Sequence, residues 1–345
     1  MDTEKLHKHV ADGVVREQRH ASLPLSIFNY SERCQYDRLW DDVTLQCRGL
    51  VMHGDRVVAI PFRKFFNDTE HKPEELPWHL PCEVTEKLDG SLLIVFHFDG
   101  QWHYATRGSF VSEQAERGRI IFRQKYGEHL LRAGLTYLFE VIYPQNRIVV
   151  NYQEREDVVL LGVIHTESGF EVCSDMFPPE LTAVRKLPPT ANAQELRSII
   201  TDIEEGYVIR FENGFRVKVK GQRYIELHRI ITGVSSRTIW EYLSERKSFD
   251  EMLSMVPDEF GDWVRREREE QLLAFEKLNE RVESAYLESK PLPDRKSQAA
   301  LILADYCDVS SAAFAALDGK PVAPILWKQL YPEFRRPEIV QRVES

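Results

Sequence analysis

The chain has 345 residues, of which 43% are hydrophobic and 29% are charged, and its formal net charge is −10 at pH 7. This composition is typical of a globular protein and argues against a membrane-embedded or a disordered chain. The acidic balance counts against non-specific binding of nucleic acid, because neutralisation of phosphates supplies much of that affinity. A local basic groove is nevertheless compatible with an acidic body.

The five cysteines are scattered and form no CxxC pair. This distribution fits a reducing compartment and argues against a disulfide framework or a structural zinc site. The N-terminal residues 1–19 are charged and lack the apolar core of a signal peptide. No apolar run approaches the roughly 20 residues of a transmembrane helix. We therefore expect a cytoplasmic protein without a membrane partner.

Residues from about 43 to 220 are rich in strand signals. Strands are predicted at 43–51 and 55–62, around a Gly-Asp turn. The segments CEVTEKL, SLLIVFHF and QWHYATR follow, and Asp99-Gly100 predicts a hairpin between the last two. A helix is predicted over 112–134, ending at Gly134, and the strand LTYLFEVIY comes next.

The chain continues with predicted strands at NRIVVNY, DVVLLGVIH and FEVC, and a short helix at NAQELRSIITDI. EGYVIRF and FRVKVK form a hairpin that turns at Asn213-Gly214. After about residue 235, apolar residues recur at helical spacing, interrupted at residues 291–293 by PLP. We therefore predict an α+β fold, with a β-rich domain over residues 1–235 and an all-helical domain over 236–345.

Lys87 lies in the segment TEKLDGS, between a predicted strand and the turn Asp89-Gly90. Taken alone, this pattern is an ordinary lysine beside a β-turn. Gly90, however, allows a ligand to approach the backbone closely. A lysine becomes a nucleophile only after it loses its proton, and desolvation and neighbouring cations both favour the neutral amine.

The segment FRVKVK supplies such cations. Its strict alternation places Arg216, Lys218 and Lys220 on one face of a strand. One interpretation is a solvated edge strand, since edge strands often carry lysines that block aggregation. The other is a cationic surface that holds a polyphosphate and activates Lys87. Glu205 opens the same hairpin and suggests a ligand for metal-bound water.

Other candidate residues lie outside this hairpin. Glu140 is surrounded by apolar residues in YLFEVIY, and because a buried unpaired carboxylate is costly, we expect it to face a pocket and bind a ribose or a hydrated cation. KFFN offers Lys64 beside Phe66, a ring that stacks on a base or packs in the core. ATRGS adds Arg107 before a Gly-Ser pair.

In this order, the segments EKLDGS, FE, EGYVIR and VKVK resemble the motifs of the covalent nucleotidyltransferase superfamily, which contains ATP-dependent ligases and capping enzymes. The closer resemblance is to the phage-type RNA ligase 1 family, and it covers about residues 25–230. That family also has an upstream CRG strand, a KFFN element, a cation-Gly-Ser, a PxNRIV run and a late tyrosine. Here these elements are Arg48-Gly49, residues 64–67, residues 107–109, residues 144–149 and Tyr224.

The resemblance implies an ATP-grasp-like ligase fold for the first domain and a role for each matching residue. Lys87 would attack the α-phosphate of ATP and form a lysyl-adenylate, while Lys218 and Lys220 stabilise the developing charge. Glu205 and Glu140 would hold Mg²⁺ or Mn²⁺, Glu205 through water. The implied nucleotide-binding set is Arg48 and Lys64 on the triphosphate, Glu140 on the ribose, Phe66 or Tyr224 framing the nucleotide, and Glu86, Asp89, Gly90 and Arg107.

Arg107 departs from the family pattern, in which this position is a lysine. The charge is kept, but the guanidinium fork has a different geometry. The role of Arg107 is therefore the least determined of the set.

The implied activity is an ATP-dependent RNA ligase that joins 5′-phosphate and 3′-hydroxyl RNA ends, in RNA repair such as that of cleaved tRNA. A separate end-healing kinase or phosphatase is compatible with this activity as a partner. The choice of ATP over GTP rests on the resemblance alone.

Two alternatives compete with this interpretation. A DNA ligase or an mRNA-capping guanylyltransferase is disfavoured, because helical periodicity rather than a β-barrel domain follows the last motif. A non-catalytic nucleotide- or RNA-binding module is supported by the acidic net charge, but no motif residue is missing. The helical domain either selects the RNA or serves as a packing or dimerisation unit.

Overall fold

The computed structural model of the chain describes residues 1–146, 148–190, 192–249, 252, 256, 260–335 and 337. These residues form two compact units, one over Met1–Ile231 and one that begins at Thr232. The predicted domains, residues 1–235 and 236–345, and their functional assignment stay a prediction. The mixture of helices and sheets confirms the α+β content.

The strands of the first unit form three sheets. In chain order the strands are β1 (Val15–Arg19), β2 (Ser26–Tyr30), β3 (Arg48–His53), β4 (Arg56–Ala59), β5 (Phe66–Asn67), β6 (Cys82–Lys87), β7 (Ser91–Phe98), β8 (Gln101–Ala105), β9 (Leu135–Ile142), β10 (Asp157–His165), β11 (Lys186–Leu187), β12 (Gly206–Phe211) and β13 (Arg216–Lys220). Sheet I has the order β1-β2-β3-β4, sheet II the order β10-β9-β7-β8, and sheet III the order β11-β6-β12-β13-β5. The strands of sheets I and II pair antiparallel, and in sheet III β5 pairs parallel with β13.

The described helices are distributed over both units. Those that begin in the first unit are α1 (Thr3–Ala11), α2 (Glu32–Tyr36), α3 (Asp42–Gln46), α4 (Glu113–Lys125), α5 (Ala193–Ile199) and α6 (Gln222–Thr232). Those of the second unit are α7 (Ser236–Ser244), α8 (Gly261–Ser289), α9 (Arg295–Asp305), α10 (Ser310–Leu317) and α11 (Ala323–Gln329). The predicted helical character after residue 235 is therefore confirmed for the described residues.

Sheet II is buried on both faces. Leu93 and Val95 of β7 pack in one cluster with Phe122 of α4, while Ile94 and Phe96 pack in another with residues of sheet I. A strand with two buried faces has a continuous apolar sequence. This explains why β7 shows no alternation of polar and apolar residues.

Sheet III is buried on one face only. Its apolar face, which includes Tyr207, Ile209, Val217 and Val219, packs against α5. The side chains between these residues point to the opposite face because successive residues of a strand alternate. One surface therefore carries Glu83, Thr85 and Lys87 of β6, Arg210 of β12, and Arg216, Lys218 and Lys220 of β13. This surface faces sheet II across a cavity.

The second unit packs around α8. Val282 and Ala285 of α8 are buried with Ile302 of α9 and Leu326 of α11. Phe275 stacks on Trp327 with the ring centroids 4.7 Å apart. The apolar stripe that predicted α8 is thus the face that carries this core.

Among the described helices, no single one is long and apolar enough to cross a bilayer. One pair, Arg295–Asp305 and Cys307–Leu317, meets the length and composition criteria together, with a bend of 110° between its members.

Three predicted strand segments are wrong. Residues 43–46 belong to α3, because the Asp41 side chain accepts hydrogen bonds from the backbone N–H groups of Val43 and Thr44 and starts a helix. The described residues of 146–152 form no strand, and residues 170–173 contribute only one bridge, between Ile164 and Glu171.

Other differences concern boundaries and omissions. The helix predicted over 112–134 ends at Lys125, before Gly127, whose φ of +95° is left-handed. The sequence carried no prediction for α1, α2, α6, α11, β1, β2, β5 or β11. In β1, only Val15 is buried, so this strand has no apolar alternation to detect. Much of the predicted helical stretch 248–256 lies outside the described residues.

Gly206 provides a test of the sheet III geometry. It has a φ of +148°, and a Cβ atom at this position would overlap the carbonyl oxygen of Val219. We expect Gly206→Ala to lower the free energy of unfolding by about 2–4 kcal/mol, measured by urea denaturation.

Gly214→Ala is the matched control, because Gly214 has a φ of +82° but no neighbour within 4 Å of the added Cβ. This variant has the backbone strain without the overlap, and we expect a loss of about 1 kcal/mol. If Gly206→Ala lowers the free energy of unfolding no more than Gly214→Ala does, the described pairing of β12 with β13 is contradicted.

Candidate active site

The register of sheet III arranges the polar residues in rows. β12 pairs antiparallel with both β6 and β13, so that each of residues 206–210 has one partner on either side. The three rows on the polar face are Lys87–Gly206–Lys220, Thr85–Val208–Lys218 and Glu83–Arg210–Arg216.

Five cations therefore share one sheet face: Lys87, Arg210, Arg216, Lys218 and Lys220. β13 lies between β12 and β5, and Lys218 is 8% exposed. The alternative of a solvated edge strand is wrong, since an edge strand would leave these lysines in water. The other cations instead lie on the same face as Lys87, the candidate nucleophile.

Glu205 bridges two of these cations. Its carboxylate is 3% exposed and lies 2.8 Å from Nζ of Lys87 and 3.4 Å from Nζ of Lys220. Gly206 follows it and has no side chain to separate the two lysines. Glu205 thus fixes the positions of both ammonium groups, and Lys87 has to leave this ion pair as a neutral amine before it can attack an electrophile.

The turn after Lys87 is held by Asp89. One carboxylate oxygen accepts hydrogen bonds of 2.7 Å from the backbone N–H groups of Val149 and Val150, and the other accepts one of 2.9 Å from the Tyr224 hydroxyl. The Asp89 backbone N–H in turn donates to the Tyr152 hydroxyl at 2.9 Å. Because both oxygens of this buried carboxylate are occupied, the structure places Asp89 as a positioning residue rather than a ligand of the nucleotide.

Gly90 brings the turn against Glu140. The Gly90 N–H donates to the Glu140 carboxylate at 3.1 Å. A Cβ atom on Gly90 would overlap the Val141 carbonyl oxygen and lie 3.1 Å from Cγ of Glu140. Only glycine therefore allows this approach between the turn and β9.

The environment of Glu140 favours its protonated form. The pKa of Glu140 is raised to about 7, mainly by burial; the charge of Glu205 acts in the same direction, and the charge of Lys87 opposes the rise. Two carboxylates therefore lie close enough to repel each other. A bound cation would relieve this repulsion, and Mg²⁺ commonly binds one or two carboxylates and keeps several waters. Glu140 and Glu205 thus fit a sparse magnesium site, although the described residues contain no group of three or more His, Cys, Asp or Glu side chains.

A cavity of about 600 Å³ opens beside Lys87, between sheets II and III. The predicted site residues that line it are Arg48, Glu86, Lys87, Gly90, Arg107 and Glu140. Its apolar walls include Phe65, Leu161 and Val208. Such a mixture of apolar walls and a few convergent polar groups is typical of a small-molecule site.

The other predicted residues lie next to this cavity rather than in its described lining. Phe66 packs edge to face against Trp40 and lies 5.4 Å from Nζ of Lys64. Tyr224 is 3% exposed, below Asp89, and Nζ of Lys220 lies 5.2 Å from its ring. The predicted framing of the nucleotide by Phe66 or Tyr224 is therefore corrected, because both rings support cationic or acidic side chains. Phe65 is the aromatic residue of KFFN that faces the cavity.

Arg107 is exposed and Glu86 is half-buried. Glu86 accepts a hydrogen bond of 3.3 Å from Nε of Arg185. Arg107 donates to the Tyr30 hydroxyl at 3.3 Å. Of the family elements, Arg147 in the PxNRIV run lies outside the described residues.

An ionic cluster that the sequence did not predict lies at the other end of the cavity. Arg216 donates two hydrogen bonds, of 2.8 and 2.7 Å, to the Glu171 carboxylate, and Nε of Arg210 lies 3.0 Å from the same group. Burial alone would raise the pKa of Glu171, but the hydrogen bonds and charge of Arg216 lower it. Alternation in FRVKVK indicated Arg216, whereas Glu171 gave no signal because it arrives from a loop distant in sequence.

A family model described as RNA ligase matches residues 46–224. The match covers more than half of the chain and includes every residue of the predicted site. The chain belongs to this RNA ligase family. The predictions of a phage-type RNA ligase and of a ligase enzyme are thereby confirmed at the level of the family.

Two relatives illustrate the extent of the similarity. An RNA ligase of Rhodothermus phage RM378 is 26% identical over 387 residues, covering 86% of this chain and 85% of the relative. A protein of Autographa californica nuclear polyhedrosis virus, provisionally named as a bifunctional polynucleotide kinase/RNA ligase, is 26% identical over 70% of this chain. The chain spans only 39% of that relative's length.

A solved structure of a Naegleria gruberi RNA ligase mutant with ATP and Mn is also similar. The sequence identity is 17%, the TM-score is 0.36, and the match covers 43% of this chain and 51% of the ligase.

The raised pKa of Glu140 predicts a pH-dependent stability of this RNA ligase. Between the ordinary value of 4.5 and about 7, the folded chain keeps a proton that the unfolded chain has released. Glu140 therefore lowers the free energy of unfolding as the pH rises through this range. In metal-free buffer we expect Glu140→Gln to be more stable than wild type by about 1–3 kcal/mol at pH 8, with little difference at pH 4.5.

Urea denaturation at both pH values measures this difference. Glu154→Gln, at an exposed position, is the control and should follow the wild-type pH dependence. The same difference between Glu140→Gln and wild type at both pH values would contradict the assignment.

The Asp89 contacts predict a loss of stability when one hydrogen bond is removed. Tyr224→Phe deletes the bond to Asp89 and should lower the free energy of unfolding of the RNA ligase by about 1 kcal/mol. Asp89→Asn should lower it by about 1–3 kcal/mol, because an NH₂ group would then face a donor.

Tyr126→Phe is the matched control, since the Tyr126 hydroxyl donates to Thr182 at an exposed site. We expect less than about 0.5 kcal/mol for this change. If Tyr224→Phe lowers the free energy of unfolding no more than the control does, the buried hydrogen bond between Tyr224 and Asp89 does not stabilise the fold.

Proposed function

We propose that this RNA ligase uses ATP to join a 5′-phosphate RNA end to a 3′-hydroxyl RNA end, with Lys87 as the nucleophile. The observation that carries the proposal is the row Lys87–Gly206–Lys220, with Glu205 bridging the two lysines beside a cavity of about 600 Å³. The proposal is independent of the repair pathway in which the enzyme acts.

In the first step, Nζ of Lys87 attacks the α-phosphorus of ATP. A nitrogen–phosphorus bond forms, the bond between the α-phosphorus and the bridging oxygen breaks, and pyrophosphate leaves with the electron pair. The Lys87 ammonium has lost its proton before the attack, which requires it to leave Glu205. The product is an AMP group on Lys87.

Lys218 and Lys220 stabilise the charge that develops on the α-phosphate. They are held on the same sheet face as Lys87, so their positions are set before the substrate arrives. Preorganised charges of this kind are effective because little reorganisation accompanies the reaction. Arg48 and Arg107, which line the cavity, serve the β- and γ-phosphates together with Lys64.

Glu140 and Glu205 would hold the divalent metal, which when bound supplies positive charge next to the phosphates. Before metal binds, the same carboxylates keep Lys87 and the Gly90 turn in place. Glu140 also lines the cavity and is the candidate partner of the ribose hydroxyls.

In the later steps the AMP group moves from Lys87 to the 5′-phosphate of one RNA end. The bond between Nζ and phosphorus breaks as a phosphate oxygen attacks. A 3′-hydroxyl of the second end then attacks the 5′-phosphorus, and AMP leaves with the electron pair. The net reaction joins two RNA ends and releases AMP and pyrophosphate.

We also propose a role in RNA repair in the cytoplasm, without a membrane partner. The named kinase/ligase relative supports a reaction sequence in which other enzymes prepare the ends. The helical unit is proposed to select the RNA.

The proposal is tested by mass spectrometry of the purified chain after incubation with Mg²⁺ and either ATP or GTP. We expect an AMP adduct on Lys87 with ATP and none with GTP. Lys87→Ala should abolish the adduct, and Lys218→Ala and Lys220→Ala should each reduce its rate of formation by at least about 100-fold.

Lys125→Ala is the control, because Lys125 forms an ion pair of 3.1 Å with Asp157 in the same unit. It should label normally. An unlabelled wild-type chain, or normal labelling of both Lys218→Ala and Lys220→Ala, would overturn the proposed function.

A further inference from the structure

The Lys64 ammonium lies inside an aromatic cage formed by Tyr30, Trp40 and Phe66. The distances from Nζ to the ring centroids are 5.6, 5.9 and 5.4 Å, respectively. Lys64 is 8% exposed. A cation over an aromatic ring at these distances is attracted by the ring's negative face, so three rings together restrict the ammonium to one place.

The three rings also hold one another. Tyr30 and Trp40 pack edge to face with their centroids 5.0 Å apart and an interplanar angle of 85°. Trp40 and Phe66 do the same at 5.5 Å and 70°. Trp40 is thus the central ring of the cage, because it contacts both of the others.

Tyr30 connects the cage to the cavity through a second cation. Its hydroxyl accepts the hydrogen bond of 3.3 Å from Arg107, whose guanidinium carbon lies 5.4 Å from the Tyr30 ring centroid. Tyr30 is 4% exposed, whereas Arg107 lines the cavity. One buried tyrosine therefore contacts both Lys64 and Arg107, which come from distant parts of the sequence.

We propose that Tyr30 and Trp40 are positioning residues for the departure of pyrophosphate, which they assist by fixing Lys64 and Arg107. This inference rests on the proposed function. A lysine has a long flexible stem, and a cation held in place before the reaction stabilises a leaving anion better than a mobile one. Misplacement by about 1 Å can cost on the order of 100-fold in rate.

Adenylation of Lys87 and the final sealing of RNA differ in their need for contacts with pyrophosphate. Pyrophosphate leaves only when Lys87 is adenylated. An RNA that already carries AMP on its 5′ end enters after this step, and its sealing needs no triphosphate contacts. Positioning residues for pyrophosphate therefore affect the first step and spare the last, whereas a general packing role affects both.

The experiment compares two rates in wild type, Trp40→Leu, Tyr30→Leu and Tyr30→Phe. The first is formation of the AMP adduct from ATP, with its apparent KM for ATP. The second is sealing of a chemically pre-adenylated RNA to a 3′-hydroxyl acceptor without ATP. We expect Trp40→Leu and Tyr30→Leu to slow adduct formation by about 10- to 100-fold and to change sealing by less than about threefold.

Tyr30→Phe keeps the ring that contacts Lys64 but removes the hydroxyl that contacts Arg107. We expect a smaller loss of adduct formation than for Tyr30→Leu. Trp78→Leu is the matched control, because Trp78 also packs edge to face, on Phe211 at 5.2 Å. It should leave the ratio of the two rates unchanged.

Adduct formation at the wild-type rate in Trp40→Leu and Tyr30→Leu would overturn the inference. A parallel loss of both rates would overturn it too, because the cage would then serve only the stability of the unit. If the wild-type chain itself forms no adduct, the proposed function fails, and this result is distinct from either outcome in the variants.

Discussion

The site depends on keeping several positive charges on one face of sheet III. Charged groups taken out of water cost several kcal/mol each unless they are paired and hydrogen-bonded. Two carboxylates of low exposure provide this compensation, Glu205 for the row of Lys87 and Glu171 for the row of Arg216. Aromatic faces add to it, with the Arg216 guanidinium 4.2 Å from the Phe62 ring centroid.

This compensation has a consequence for binding. The carboxylate oxygens of Glu205 contact both Lys87 and Lys220, the two lysines to which the proposed function assigns contacts with phosphate oxygens. Under the proposed function, nucleotide binding would exchange one set of anionic oxygens for another. Such an exchange keeps the lysines in register throughout, because their backbones are fixed by the pairing of β12 with β6 and β13.

The side chains that the motifs brought together fall into two classes in the structure. Lys87, Glu140 and Arg48 face the cavity, whereas Asp89 and Tyr224 hold the turn from behind. Alternation along FRVKVK predicted the common face of the lysines, since the period of a strand is local. The two classes were not separable in the sequence, because the partners of Asp89 are 60, 61 and 135 residues away along the chain.

The segment NRIVVNY shows the physical reason for the largest local error. Its apolar β-branched residues are those of a strand, and strand propensity mainly reflects packing on a half-buried surface. Val149 and Val150 are indeed buried, but they pack with Tyr224, and their N–H groups donate to Asp89 rather than to a neighbouring strand. A buried backbone donor needs an acceptor of some kind, and a carboxylate satisfies this need as well as a strand does. The segment gives up strand pairing in order to fix the turn that carries Lys87, so local rules fail where the residues serve the site.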